Sequence, residues 1–372
     1  MKASVAIAKC SSYEPEEVCK AVKGAVELLG GITRFVKPGS PCLVKPNLLM
    51  AIEPESGVDT HPEVVRAVIK ILKEIDCKVF VGDGPSAWGS QVQNLDSVYA
   101  RSGMRQLCEE EGVALVKFDK HRWRQRFPLT TWLDECVYLV NVPKFKTHGF
   151  TILTGAIKNL YGLLSPTYKT EIHKNYSKKD DFADILAEIY QEAKPSLTVV
   201  DGIVAMEGNG PATAGKLRNL GLLFAGSDAV AVDSVLAKIM GLKPLDIASI
   251  QAAAKRGLGV ADLSSVEIMG ERLEDVIPKP FQLPAPSLID KVPGPIKELA
   301  KRFIRFYPAV SHTDCTNCGA CIEVCPEKLI SRQNNRITVD YSRCISCFCC
   351  QEACSSKAIS VKKSILAKLI GL

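Results

Sequence analysis

Along the first three-quarters of the chain, apolar positions follow two alternating rhythms. Runs such as "ASVAIAKC" (3–10), "PCLVKPNLL" (41–49) and "CKVFVGDGPS" (77–86) are nearly continuous or alternate every second residue, as strands in a covered sheet do. Between them, "PEEVCKAVKGAVELLGG" and "THPEVVRAVIKILKEID" repeat apolar residues at helical spacing. The Gly pair closing the first marks a helix stop; in the second, Thr60 is the expected N-cap and Pro62 falls in the first turn. Strands are predicted again at "VALVKFD", "CVYLVNVPK", "LTVVDGI" and "LGLLFAGS", and helices at "DDFADILAEIYQEA" and "SDAVAVDSVLAKIMG". This alternation predicts an α/β domain with a largely parallel sheet over residues 1–277.

The rhythm breaks at "PKPFQLPAPSLIDKVPGPIKE" (278–298), whose six prolines read as a linker. "IKELAKRFIRFYPAV" (296–310) predicts an apolar and basic helix that docks one domain on the other, a role favoured over contact with a membrane surface. Residues 362–372 predict an amphipathic tail too short to span a bilayer. No run of about 18 apolar residues occurs, and the opening residues lack the apolar core and cleavage site of a secretory signal. A cytoplasmic protein without a transmembrane segment is expected.

Cysteine usage changes the picture. Of 15 cysteines, Cys10, Cys19, Cys42, Cys77, Cys108 and Cys136 are scattered and read as reduced thiols, while the rest crowd between Cys315 and Cys354. "CTNCGACIEVCP" sets Cys315, Cys318, Cys321 and Cys325 in the spacing C-x2-C-x2-C-x3-C-P, and "CISCFCCQEAC" repeats it with Cys344, Cys347, Cys350 and Cys354. Three thiolates at two-residue gaps wrap one iron–sulfur cube, and the fourth reaches toward the other. One [4Fe-4S] cluster is therefore assigned to Cys315, Cys318, Cys321 and Cys354, and a second to Cys344, Cys347, Cys350 and Cys325. Zinc is disfavoured, because its sites use paired knuckles with a longer gap. Residues 311–361 resemble the bacterial two-cluster ferredoxin domain, a small α+β unit. Two departures stand out: Ser355 where the second half usually has Pro, and Cys349, an extra thiol that is either an alternate ligand or a spare packed residue. The resemblance implies outer-sphere electron transfer and a redox donor or acceptor protein as partner.

The formal net charge of +6 belongs to this tail: residues 293–372 hold 12 Lys+Arg and 6 Asp+Glu, leaving 35 and 35 before it. Clusters with anionic thiolates need such compensation, so nucleic acid is not an expected partner.

"VKPN" (44–47), "THPEVV" (60–65), "VGDGPS" (81–86), "VPKFKTHGFTILTGAIKNLYG" (142–162), "VVDGIVAMEGNGP" (199–211) and "SDAVAVD" (227–233) together resemble the DUF362 family, often fused to such ferredoxin tails. That resemblance implies little chemistry, so the residues must supply it. Open α/β sheets bind ligands beyond the carboxyl ends of their strands. Asp83 and Asp201 stand there in Asp-Gly pairs, as do Lys45 and Asn47, and Lys144, Lys146 and His148. Lys158 and Asn159 follow the first turn of a Gly-opened helix. Together they predict a site for a small anionic molecule, a carboxylate or phosphate, against the plainer reading of solvated surface lysines. His148 and Glu207 are the candidate proton donors, with "EGNGP" either closing over the ligand or forming a plain turn. Neither a Walker loop nor a dinucleotide-binding Gly motif is present. His61 reads as structural, and His173 as a weaker candidate on a polar loop. The expectation is an iron–sulfur oxidoreductase passing single electrons to an anionic substrate or a further organic cofactor. The alternative is a non-catalytic electron-transfer or metallocentre-assembly subunit docked on a partner protein.

Overall fold

The computed structural model describes residues 3–85, 94–176, 178–285 and 306–364. The apolar runs assemble edge to edge in the order Val266–Gly270, Ala3–Lys9, Gly215–Gly226, Leu197–Gly208, Tyr138–Val142, Pro41–Pro46, Lys78–Val81 and Ala114–Leu115. Lys144–His148 and Ile152–Thr154 attach beside Leu197–Gly208 and complete a ten-stranded sheet. Most pairings are parallel; the antiparallel ones are the Lys144–His148/Ile152–Thr154 pair and those made by Gly215–Gly226 with its two neighbours. "EGNGP" is part of the turn that joins Leu197–Gly208 to Gly215–Gly226.

Helices cover both faces, which is why the strands carry so few polar residues. Val5, Ile7 and Leu43 belong to one apolar core with helices Lys179–Ala193, Ala229–Ile239 and Ala248–Lys255. Ala6, Cys42 and Val44, one residue out of phase, belong to the other, with helices Pro15–Leu28 and Pro62–Lys73. Five of the six scattered cysteines are buried, and all six are free thiols.

The remaining described residues form a small α+β unit. Phe306–Val310 pairs with Ile359–Lys363, Ile330–Gln333 with Arg336–Val339, and the short helices Ala320–Glu323 and Cys349–Glu352 pack around Val324, Ile330, Ile337 and Ile359.

Local expectations fail at three points. Thr60 is not the cap of the second helix: its hydroxyl donates to the Val142 carbonyl (2.7 Å), and His61 Nδ1 accepts the Glu63 N–H instead. "YKTEIHKNY" is not a polar loop, since Pro166–Asn175 is helical and buries His173 against Phe182. Within the helix expected at 296–310, residues 306–310 are a strand, because the neighbouring strand's backbone groups need a partner. Residues 296–305 of that segment, most of the Pro-rich linker, Ser86 of "VGDGPS" and residues 365–372 of the tail lie outside the described residues. No helix among the described residues is long and apolar enough to cross a membrane.

Candidate functional site

Strand alternation places Lys144, Lys146 and His148 on one face of Lys144–His148, all buried. Phe145 points the other way into the core, and the Thr147 hydroxyl donates to the Gly208 carbonyl (2.9 Å). An unpaired cation cannot remain in such a place, so each must find a partner.

Lys144 Nζ sits 2.8 Å from Asp201 Oδ2 and donates to the Tyr13 hydroxyl (2.7 Å). Tyr13 in turn donates to Asp201 Oδ1 (2.9 Å), and the His61 backbone N–H donates to Oδ2 (3.0 Å). The Tyr13 and His61 rings stack at 3.6 Å, in keeping with a structural His61. Lys45 Nζ sits 2.6 Å from Asp83 Oδ1 and donates to Asn159 Oδ1 (3.2 Å), while Asn159 donates to Asn141 Oδ1 (2.8 Å). Asp83 also accepts the Leu48 and Gly84 N–H groups. Burial lowers the Lys45 pKa, and Asp83 opposes that shift. Asp83 and Asp201 thus serve as counter-ions of Lys45 and Lys144, so neither lysine is left open to an outside anion.

Farther along the face the groups are less completely matched. Lys146 Nζ donates to the Val58 carbonyl (2.5 Å) beside Asp59. Burial pushes the lysine pKa down and the carboxyl pKa up, each partly opposed by the other group's charge. His148 Nδ1 accepts the backbone N–H groups of Phe150 (3.1 Å) and Thr151 (3.4 Å). Its proton therefore lies on Nε2, which is 3.4 Å from Glu352 Oε1 in the cysteine-rich unit. Burial first, then the charges of Lys158, His173 and Lys146, hold His148 well below the usual histidine range and so neutral. The turn after His148 carries Ile152 at φ 69°, which a β-branched residue rarely adopts.

Lys158, half-buried, makes no hydrogen bond or ion pair among the described residues and lies 5.7 Å over the Tyr161 ring. Burial lowers its pKa, against the opposing pull of Glu352 and Cys349. Asp59 Oδ2, Thr154 Oγ1, Asn47 Oδ1 and Gln351 Nε2 are buried without a hydrogen-bond partner among the described residues. Thr154 stands opposite Lys146 in the strand pair.

Glu207 is not brought to His148. Its neighbour Met206 pairs with Lys146, so Glu207 faces the opposite side, 2.7 Å from Arg218 and accepting the Gln282 N–H. The proton-donor role expected of it is therefore withdrawn. Local pattern gave no sign of Tyr13, Asp59, Lys169 or Glu352 as partners. Lys169 is buried on the Pro166–Asn175 helix, bonded to the Gly84 carbonyl, with its pKa pushed down to about 7 mainly by burial.

In the small unit, one small cavity of about 20 Å³ is lined by Cys315, Cys318, Cys321 and Cys354, and another of about 20 Å³ by Cys325, Cys344, Cys347 and Cys350. Each gathers three thiols from one half and the fourth from the other. Among the described residues no three Cys, His, Asp or Glu side chains converge on a single ion. The thiols surround cavities instead, a disposition that fits a polynuclear group. Cys349 lines neither cavity; it is buried at the junction with Lys158 and Tyr161.

Comparisons with known proteins agree with this division. A family model described as a domain of unknown function, DUF362, matches residues 42–238, and one described as a 4Fe-4S dicluster domain matches residues 308–355. The thylakoid-associated protein sll1697 of Synechocystis sp. (strain ATCC 27184 / PCC 6803 / Kazusa) is 34% identical over 265 residues, 69% of this chain and 81% of that protein. The lactate racemase apoprotein from Thermoanaerobacterium thermosaccharolyticum aligns with TM-score 0.37 at 15% identity, over 62% of this chain and 55% of that one. This chain thus spans about half the length of that structure, a likeness too distant to bear on function.

Proposed function

The chain belongs to the DUF362 family and carries a 4Fe-4S dicluster domain, and from that premise we propose that it is an iron–sulfur oxidoreductase acting on a small anionic molecule held where its two parts meet. The clusters are assigned to Cys315, Cys318, Cys321 and Cys354, and to Cys344, Cys347, Cys350 and Cys325, the two sets that line the two cavities. When bound, they supply single electrons.

The contact of His148 with Glu352 carries the reading, because it brings the helix between two assigned cluster ligands onto the face bearing Lys146. Lys158 and Lys146 hold the anionic group and stabilise the negative charge that reduction adds. Thr154 Oγ1 and Gln351 Nε2 offer it further hydrogen bonds. His148, neutral with its proton on Nε2, donates a hydrogen bond from that atom and orients the bound anion. Lys45, Asp83, Lys144, Asp201 and Asn159 brace the site from behind. A cytoplasmic location fits, with a redox partner at a membrane surface in keeping with the thylakoid association in the relative's name.

One observation favours a non-catalytic electron-transfer subunit instead: Lys45 and Lys144 are already neutralised from within. Iron and sulfide analysis of anaerobically purified protein, with mass spectrometry of any molecule released on denaturation, separates the two. The oxidoreductase reading expects iron for two four-iron clusters and a reducible anion, bound more weakly after Lys146→Ala or Lys158→Ala. Full iron with no small molecule bound, and none accepting electrons from the reduced protein, moves the conclusion to the subunit.

A further inference from the structure

The turn that follows His148 also faces a space of its own. Phe150 and Ile152 form one wall of a cavity of about 430 Å³, completed by Ala183 and Leu186 on Lys179–Ala193, by Leu242 and by Leu283. Small-molecule sites fall in the range of about 300–1,000 Å³. His148 Nδ1 accepts the Phe150 and Thr151 N–H groups, so the cavity borders the junction through that turn.

Its free polar groups are mainly donors. Two helices begin at the cavity, Lys179–Ala193 with Lys179 and Asp180 on the lining, and Ala248–Lys255 with Ala248 and Ser249. No side chain caps either start. First-turn N–H groups have no acceptor within their own helix, and those of Ala248 and Ser249 find none elsewhere among the described residues. Ser249 is only 4% exposed, yet its hydroxyl makes no hydrogen bond among the described residues, which is uncommon for a buried hydroxyl. Gln251 Oε1 accepts Lys255 Nζ (3.1 Å), which leaves its amide N–H groups to donate.

The charges at the rim favour no ion. The exposed Asp180 and Asp246 carboxylates outnumber the half-buried Lys179 ammonium by one. Each helix start adds about half a positive charge, which brings the sum near zero. An ion entering would give up its water with nothing to replace it.

We propose that this cavity is a binding site for an uncharged, largely apolar molecule that carries a carbonyl group, such as an aromatic ketone or amide. The carbonyl oxygen accepts from the Ser249 hydroxyl and from the first N–H groups of Ala248–Lys255, and the apolar body lies against Phe150, Ile152, Ala183 and Leu186. This site is separate from the anion site and does not rest on it.

The test is equilibrium dialysis of the oxidised full-length protein against two probes of matched shape, neutral 2-acetylnaphthalene and anionic 2-naphthoate. The ketone should bind saturably, one per chain, and at least ten-fold more tightly than the carboxylate. Ser249→Ala, which removes one hydrogen bond, should weaken ketone binding about five-fold. Ala248→Phe, which fills the space, should abolish it. No saturable binding of the ketone, binding unchanged by Ser249→Ala, or a carboxylate that binds as well as the ketone would each overturn the proposal. Should Ala248→Phe fail to fold, as read by far-ultraviolet circular dichroism, Ser249→Ala and the pair of probes decide. Dialysis of the oxidised protein needs neither turnover nor the junction anion, so failure of the anion site leaves this result readable, and failure here leaves the anion site standing.

Discussion

Replacing Asp83 by Asn removes the counter-ion of Lys45 while keeping a side chain of nearly the same shape. The ammonium then retains only the Pro46 carbonyl (3.1 Å) and Asn159 Oδ1 (3.2 Å), with no access to water. Breaking a buried ion pair from one side costs about 3–5 kcal/mol. The lysine can escape by losing its proton, and that escape limits the penalty. Neutralising an ordinary lysine (pKa about 10.4) costs about 5 kcal/mol at pH 7 and about 2 kcal/mol at pH 9. The folded variant binds fewer protons than the unfolded chain, so its stability rises with pH. The deficit should therefore shrink from about 4 kcal/mol at pH 7 to about 2 kcal/mol at pH 9. With a urea dependence of about 3 kcal/mol per molar, the midpoint falls by about 1.3 M at pH 7 and by about half as much at pH 9.

The assay is urea unfolding followed by tryptophan fluorescence. Trp88, Trp123 and Trp132 all lie in the α/β domain, so the signal is blind to the cysteine-rich unit. A midpoint shift under about 0.3 M at pH 7, or a deficit that does not narrow with pH, would refute the assignment of this pair to the scaffold.

A Cβ at Gly162 would run into Asp83 Oδ1 and lie 2.7 Å from Lys45 Nζ, so Gly162→Ala should destabilise by about 1–3 kcal/mol in the same assay. Burial pushes Asp233 up to about 7, although it accepts the Ala156 and Ile157 N–H groups (2.6 and 3.0 Å). The folded state then holds a proton that the unfolded state has released, and stability falls by about 3 kcal/mol between pH 5 and 7.5; Asp233→Asn should flatten that slope. Cys349→Ala should keep its full iron complement, whereas Cys318→Ala should lose one cluster, both read by iron analysis. Lys158→Gln should lower the midpoint potential of the cluster assigned to Cys344, Cys347, Cys350 and Cys325 more than that of the other in a redox titration followed by electron paramagnetic resonance. Equal shifts would remove Lys158 from the vicinity of that cluster.

Much of the fold was legible because strands covered on both faces leave a plain mark: Val5–Ala6–Ile7 and Cys42–Leu43–Val44 send alternate residues into two different cores. The cysteine spacing was legible too, since a thiol triplet with a trailing Cys states its own geometry. Charge pairing was not. Lys144 meets Asp201 across 57 residues and Tyr13 reaches the same carboxylate across 188, and a lysine at a strand end reads alike whether it faces water, a ligand or an aspartate. Glu207, on its Gly-rich turn, read as a proton donor alternative to His148, but which face it takes is set by register, which single-strand patterns do not contain. His173 was hidden by a polar helix whose covering rings, Phe182, Tyr161 and Phe150, come from elsewhere in the chain.

The charges at the junction do not all cancel among the described residues. Lys45 and Asp83, and Lys144 and Asp201, cancel as pairs, and Lys146 is partly offset by Asp59. What remains is Lys158, a cation with no hydrogen bond among the described residues, facing Glu352 and Cys349 on the helix that follows Cys347. Reduction adds one negative charge to a cluster, and a cation close by in a poorly hydrated interface lowers the cost of that charge far more than the same cation in water. Cations that stand in solvent, such as Arg332 and Arg336, act far less, because their field is screened within about 10 Å at moderate salt. Of the charges at this junction, Lys158 is therefore the one whose removal should be read in a cluster's potential.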